Sequence, residues 1–300
     1  MSPQFGLALS GGGAKGIAHI GVLKVLEEIH MPVHMLAGTS MGGVIAALYA
    51  AGRTASEIEQ LARSLRLLDI VQRDRSGLGL MGQGKMAALL CKALGGDLTF
   101  DQLKLPLALV AVDLQTGEEV VIREGPVVEA VLATTAVPII FPPVEWRGRL
   151  LVDGGVLNPA PFDVVRALGA ERVVAVYTTH DLAGRPGDEP LREGRGAEAI
   201  IRLFLHRTHW APLVDVTERS AAITARRLVE QRLQQAPPDV MIHVLFSGVG
   251  LLDLDQVDLA MRAGEEAARR HLAELIALRD APAPGRLARW WQSVRKRFGS

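Results

Sequence analysis

Three hundred residues, 49% hydrophobic and 22% charged, have ordinary globular composition and are too apolar for a disordered chain. Lys and Arg total 33 and so do Asp and Glu, so no global field attracts nucleic acid. The single cysteine, Cys91, excludes a disulfide framework and any multi-cysteine metal site, and it permits a reducing compartment.

Met1–Ser10 lacks the basic start and the long apolar run of a secretory signal. Within it, Phe5–Leu9 reads as a first strand. Lys15–Ile29 reads as a helix, with Ile17, Ile20, Val22, Val25 and Leu26 on or near one face. From Ile29 to Gly52 there is no Lys, Arg, Asp or Glu, yet Pro32, four glycines and the Thr39-Ser40 step interrupt the run. A buried strand, turn and helix (Met35–Ala37, then Met41–Ala51) fits it better than a membrane span. Further strands are expected at Leu105–Leu114, Val120–Arg123, Arg149–Val152, Arg172–Tyr177 and Val240–Phe246, with helical stretches between several of them, and Gln256–Ala277 closes the domain as a helix. Continuous Val/Leu/Ile runs alternating with helices predict an α/β layered sheet whose strands are buried on both faces. Asp181–Pro212 begins rich in Gly, Pro and charge and then turns apolar, which suits a surface excursion packed on the core or a cap.

The domain is expected to span 1–280. Residues 281–285, Ala-Pro-Ala-Pro-Gly, read as a linker. Residues 286–300 carry five basic residues and no acid. On a helix, Leu287, Trp290, Trp291, Val294 and Phe298 make one apolar stripe. That stripe fits an anionic membrane surface, and it fits packing on the domain or on a partner subunit.

Three motifs carry chemistry. Gly38-Thr39-Ser40-Met41-Gly42 matches G-x-S-x-G between a short strand and a helix, the context in which a strained turn exposes a nucleophilic hydroxyl. The pattern is short, and a glycine-rich turn can produce it without function. Ser10-Gly11-Gly12-Gly13-Ala14-Lys15-Gly16 follows the first strand and satisfies G-x-G-x-x-G. A dinucleotide site would need an acid at the end of the second strand, and Met31–Ala37 has none. A Walker loop fails because Lys15 is not followed by Ser or Thr. Glycine amides ahead of a helix can instead donate to a tetrahedral oxyanion. Asp153-Gly154-Gly155 follows a strand, where an acid could serve as general base or simply cap the turn before Asn158-Pro159.

Taken together and in this order, Gly11–Gly16, Gly38–Gly42, the apolar Ala136–Pro143 and Asp153–Gly155 resemble the patatin-like phospholipase family. The resemblance implies a three-layer α/β/α fold with a mostly parallel central sheet. It implies a dyad of Ser40 as nucleophile and Asp153 as base, an oxyanion hole from Gly11, Gly12 and Gly13, and a supporting role for Lys15. It also implies hydrolysis of fatty acyl esters of phospholipids or lysophospholipids, a reaction that requires no metal or cofactor, while the balanced charge argues for no nucleic-acid partner. Pro138–Pro143 would line an acyl pocket or serve as a core loop. The expected location is cytoplasmic, peripheral at the inner face of the membrane if 286–300 binds lipid. Two rivals remain at this point. One is a Ser40-Asp153-His180 triad, which has the chain order of α/β-hydrolases. The other is a lipid-binding or regulatory protein with an inactive site.

Overall fold

The computed structural model describes residues 3–70, 72–181, 211–246, 249–251 and 253–282. Eight strands form one sheet: β1 Phe5–Leu9, β2 Met35–Thr39, β3 Leu107–Asp113, β4 Glu119–Ile122, β5 Val144–Trp146, β6 Arg149–Asp153, β7 Arg172–His180 and β8 Val240–Phe246. Parallel pairs join β1 to β2 and β7, β2 to β3, and β7 to β8, while β4 and β6 run antiparallel to β3 and β5 to β6. The sheet is thus mostly parallel at its centre, with an antiparallel arm.

Strand alternation divides the core. Leu7, Leu9, Leu36, Leu109, Val174, Val176 and Ile242 belong to one buried cluster. Ala8, Ala37, Ala108, Val110, Val173 and Ala175 belong to a second. Successive side chains on a strand point to opposite faces, so these are the two sides of the sheet. Helices α1 Ala18–Glu28 and α2 Met41–Ala50 and the helix Val257–Arg270 pack on the first side. The helix Phe162–Ala167 and Val229 of the long helix Ala211–Gln235 pack on the second. The expected α/β/α layering is the observed one.

The details differ in instructive ways. The helix read from Lys15 is a 3-10 turn over Gly13–Ile17 followed by α1, because Gly13 has φ 56 and starts the turn early. The closing helix is interrupted at His271 and continues as Leu272–Asp280. The tail 286–300 and most of the Asp181–Pro212 excursion lie outside the described residues.

The register of β3 positions the site. Leu109 and Val110 face β2 on one edge and β4 on the other; Ala111 and Val112 face β6 and β4. Since β4 keeps to one edge, β2 and β6 share the opposite one. They approach from opposite directions and meet end to end, with Thr39 opposite Val110 and Asp153 opposite Ala111. The residue after Thr39 is Ser40.

Candidate active site

Ser40 is the hinge between β2 and α2, with φ 53 and ψ −126, a backbone conformation that costs an L-residue energy and is found where a site over-determines it. Its carbonyl accepts the amides of Gly43 (2.8 Å) and Val44 (3.1 Å), the first bonds of α2. Gly42 makes this turn possible. A Cβ there would lie 2.3 Å from the carbonyl oxygens of both Leu9 and Ser10, so the serine turn rests on the end of β1.

Where β2 stops, β3 would be left with a broken ladder. Thr134, at the end of helix Val127–Thr134, repairs it: its hydroxyl donates to the Val110 carbonyl and accepts the Ser40 amide at 3.0 Å. Two residues on, the Ala136 carbonyl accepts the Asp153 amide at 3.0 Å. One short segment therefore fixes the backbone of both residues.

Asp153 and Ser40 are both buried. Asp153 Oδ1 accepts the Gly155 amide at 2.7 Å, while Oδ2 is buried without a hydrogen-bond partner. Burial pushes the Asp153 carboxyl up to about 6, against the Ser40 hydroxyl and the Gly155 amide, which pull it down. Ser40 is thus near enough to influence the carboxyl, but no bond of ordinary geometry closes onto Oδ2. The arrangement is an acid of near-neutral pKa with one lone-pair edge left over beside a strained serine.

The glycine turn after β1 stands against the serine turn: a Cβ on Gly11 would be 3.3 Å from Ser40 Cβ. The Gly11 amide is already engaged, donating to the Pro159 carbonyl at 2.9 Å, and Ala14 donates to Leu251 at 2.8 Å. Among the described residues, the amides of Gly12, Gly13 and Met41 have no hydrogen-bond acceptor. Of the three glycines singled out from the sequence, two therefore keep a donor to offer. Lys15 is buried, and its Nζ donates to the Val249 carbonyl at 2.9 Å, tying the turn to the chain after β8.

Two buried residues that sequence reasoning passed over brace these turns, His19 with its side chain and Asn158 with its backbone carbonyl. His19 Nε2 donates to the Ser10 carbonyl at 2.8 Å, which leaves Nδ1 buried and unbonded. Burial lowers its pKa to about 4, so the ring is neutral. The Asn158 carbonyl accepts the Thr39 hydroxyl at 2.9 Å, and its Nδ2 donates to Glu119 and Asp163, both of which pair with Arg232. His180 ends β7 opposite Phe246, and its side chain is outside the described residues. In Ala136–Pro143, Phe141 is buried whereas Ile139 is exposed. No cluster of three or more His, Cys, Asp or Glu suited to a metal occurs among the described residues. No helix among them is long and apolar enough to cross a membrane.

The family model described as patatin-like phospholipase matches residues 7–166. The chain belongs to this family. Among relatives, an NTE family protein of Mycobacterium tuberculosis is 36% identical over 190 residues, 62% of this chain and 52% of its own length. A second from that organism is 30% identical over 276 residues, 90% of this chain and 46% of its own. Patatin-like phospholipase domain-containing protein 6 of the mouse is 36% identical over 219 residues, 71% of this chain and 16% of its own. The chain spans about half or less of the length of these curated relatives. Among solved structures, VipD from Legionella pneumophila superposes with a TM-score of 0.60 at 16% identity, covering 92% of this chain and 67% of that one. The type III effector ExoU does so at 0.51 and 16%, covering 92% and 54%. At such identities the likeness is one of fold, and the patatin-like α/β architecture is shared.

Proposed function

We propose that the chain is a serine acyl hydrolase that cleaves fatty acyl esters of phospholipids or lysophospholipids, with Ser40 as nucleophile and Asp153 as its base. The observation that carries this reading is the end-to-end meeting of β2 and β6 on one edge of β3, which puts the two residues side by side in a buried corner. In the first half-reaction the Ser40 oxygen bonds to the ester carbonyl carbon while its proton passes to Asp153 Oδ2. Collapse of the tetrahedral species breaks the ester C–O bond, and the proton leaves with the alcohol. Water then attacks the acyl-serine, giving its proton to Asp153, and the fatty acid departs with Ser40 restored. The carbonyl oxygen carries the negative charge between these steps, and the amides of Gly12, Gly13 and Met41 are the donors available to it. An acid raised to about 6 is a better base at neutral pH than an ordinary carboxyl, which is why burial of Asp153 matters.

The test is labelling of the folded protein with a fluorophosphonate, together with product analysis on phospholipids, lysophospholipids and short p-nitrophenyl esters. Ser40→Ala is expected to abolish labelling and to lower turnover by about 10³-fold or more. Asp153→Ala should do the same to turnover, and His180→Ala should leave most of it. Equal loss in all three variants would establish the triad. Folded protein that neither labels nor turns over any substrate would establish the binding protein. Membrane contact through 286–300 belongs to the same proposal, with liposome sedimentation after removal of those residues as its check.

A further inference from the structure

The three most exposed large apolar side chains among the described residues are Leu80 (68%), Ile139 (63%) and Leu78 (61%). They come from two segments stitched together: the Leu80 amide donates to the Ile139 carbonyl at 2.9 Å and the Met81 amide to Ile140 at 2.8 Å. Gly79 lies between the leucines with its α-carbon turned inward, where a Cβ would be 2.6 Å from the Pro142 nitrogen. The alternation leaves Leu78 and Leu80 facing out.

Their display is built rather than accidental. The Asp74 carboxylate accepts the amides of Ser76 (3.1 Å), Leu78 (3.1 Å) and Gly79 (3.2 Å) and the Ser76 hydroxyl (2.7 Å). The loop is closed at its base by the Arg73–Met81 bridge and by the Gly82 amide on the Gln72 carbonyl. Arg73 and Arg75 are exposed and form no ion pair among the described residues. With Gln72, Asp74 and Gly77 they line a surface concavity of about 550 Å³. Asp74 is the one acid among the described lining residues, and its oxygens are occupied by the loop's own donors.

We infer that Leu78, Leu80 and Ile139 form an insertion surface by which the protein docks on a phospholipid membrane, with Arg73 and Arg75 meeting the headgroup phosphates. Apolar side chains beside unpaired guanidinium groups match the layering of a bilayer face, acyl chain next to anionic headgroup. An exposed apolar patch of this kind marks a place where a surface is received. The patch is also wired to the candidate site. The segment bearing Ile139 begins at Thr134 and Ala136, which hold the Ser40 and Asp153 amides. The inference rests on the lipid hydrolase reading for its purpose, but not for its measurement.

The measurement is sedimentation of the full chain, carrying Ser40→Ala so that no lipid is consumed, with vesicles of phosphatidylcholine alone and of phosphatidylcholine with phosphatidylglycerol. Leu78→Gln with Leu80→Gln should weaken partition to both vesicle types by about 10-fold or more, since two exposed leucines lose their insertion. Arg73→Gln with Arg75→Gln should weaken binding selectively to the anionic vesicles, by about 10-fold or more. In the otherwise unaltered chain, the leucine pair should depress turnover of vesicle phospholipid and spare that of a short soluble ester. Unchanged sedimentation of the leucine pair overturns the inference. So does a leucine pair that loses only self-association in light scattering, which would make the patch an interface between copies. If no ester is ever cleaved but sedimentation responds as stated, the hydrolase reading fails and the docking surface stands.

Discussion

The turns after β1 and β2 are neighbours of the same kind, each leading from the end of an inner strand to a helix on the same side of the sheet, and they solve the problem differently. After β1 the chain uses glycines with φ 146 and 56 at Gly12 and Gly13, and two amides remain without acceptors. After β2 a serine takes φ 53 itself, and its side chain is what the turn presents. Each turn also interrupts a ladder, and each is repaired by one buried polar side chain: His19 takes up the Ser10 carbonyl, Thr134 the Ser40 amide. One turn thus offers backbone donors and the other a hydroxyl, and both depend on a distant residue for their shape.

The comparison breaks most severely where the turns touch. Gly42→Ala places a methyl against the Leu9 and Ser10 carbonyl oxygens, neither of which can retreat without disturbing β1. The expected cost is about 3 kcal/mol in denaturant unfolding. A loss of about 10²-fold or more in ester turnover should accompany it, because a displacement of an ångström suffices for that.

Thr134→Val tests one brace alone. It keeps the shape but leaves the Ser40 amide and the Val110 carbonyl without their partner, at a cost of about 1–3 kcal/mol. Turnover should fall by about 10-fold or more through kcat, with KM little changed. Thr134→Ser, which restores the hydroxyl, should recover most of both. A purely structural role would lower stability and leave kcat intact.

The effect that is smallest in the intact protein is on pH dependence, because there the braces and the chemistry pull in opposite directions. His19 has a folded pKa near 4 against 6.5 when unfolded. Between these values the unfolded chain binds a proton that the fold refuses, so stability falls as pH drops from about 6.5 to 4. Asp153 has a folded pKa near 6 against 3.8, so the fold keeps a proton that the unfolded chain has released, and stability falls as pH rises from about 4 to 6. Each contributes up to about 3 kcal/mol, and the two largely cancel in the intact protein. Asp153→Asn should therefore raise stability at pH 7 and uncover the acid-side loss due to His19. Unfolding curves across pH 4–7 for the two proteins check both signs.

Much of the frame was legible because it is local. β1 falls on Phe5–Leu9 as read, and the serine turn and glycine turn announce themselves through small residues at fixed spacing. Thr134, His19 and Asn158 gave no such signal: each is a single polar residue within an apolar or turn-rich stretch, and its partner is set by tertiary packing. The weak trace in sequence is a lone polar group inside a run that is otherwise buried, as in Ala133-Thr134-Thr135-Ala136. The three-residue β5 was missed because so short a strand has no periodicity to read. That the antiparallel arm shares an edge with β2 is a fact of register, which no single strand's sequence contains.

The head-on meeting of β2 and β6 has a consequence in time. The hydroxyl and the glycine amides are encoded within the first few dozen residues, whereas the carboxyl is synthesised over a hundred residues later and joins only when an antiparallel strand closes on β3. On the proposed chemistry, an emerging chain would be inert toward lipid until that closure, so reactivity waits on a pairing between segments far apart in sequence.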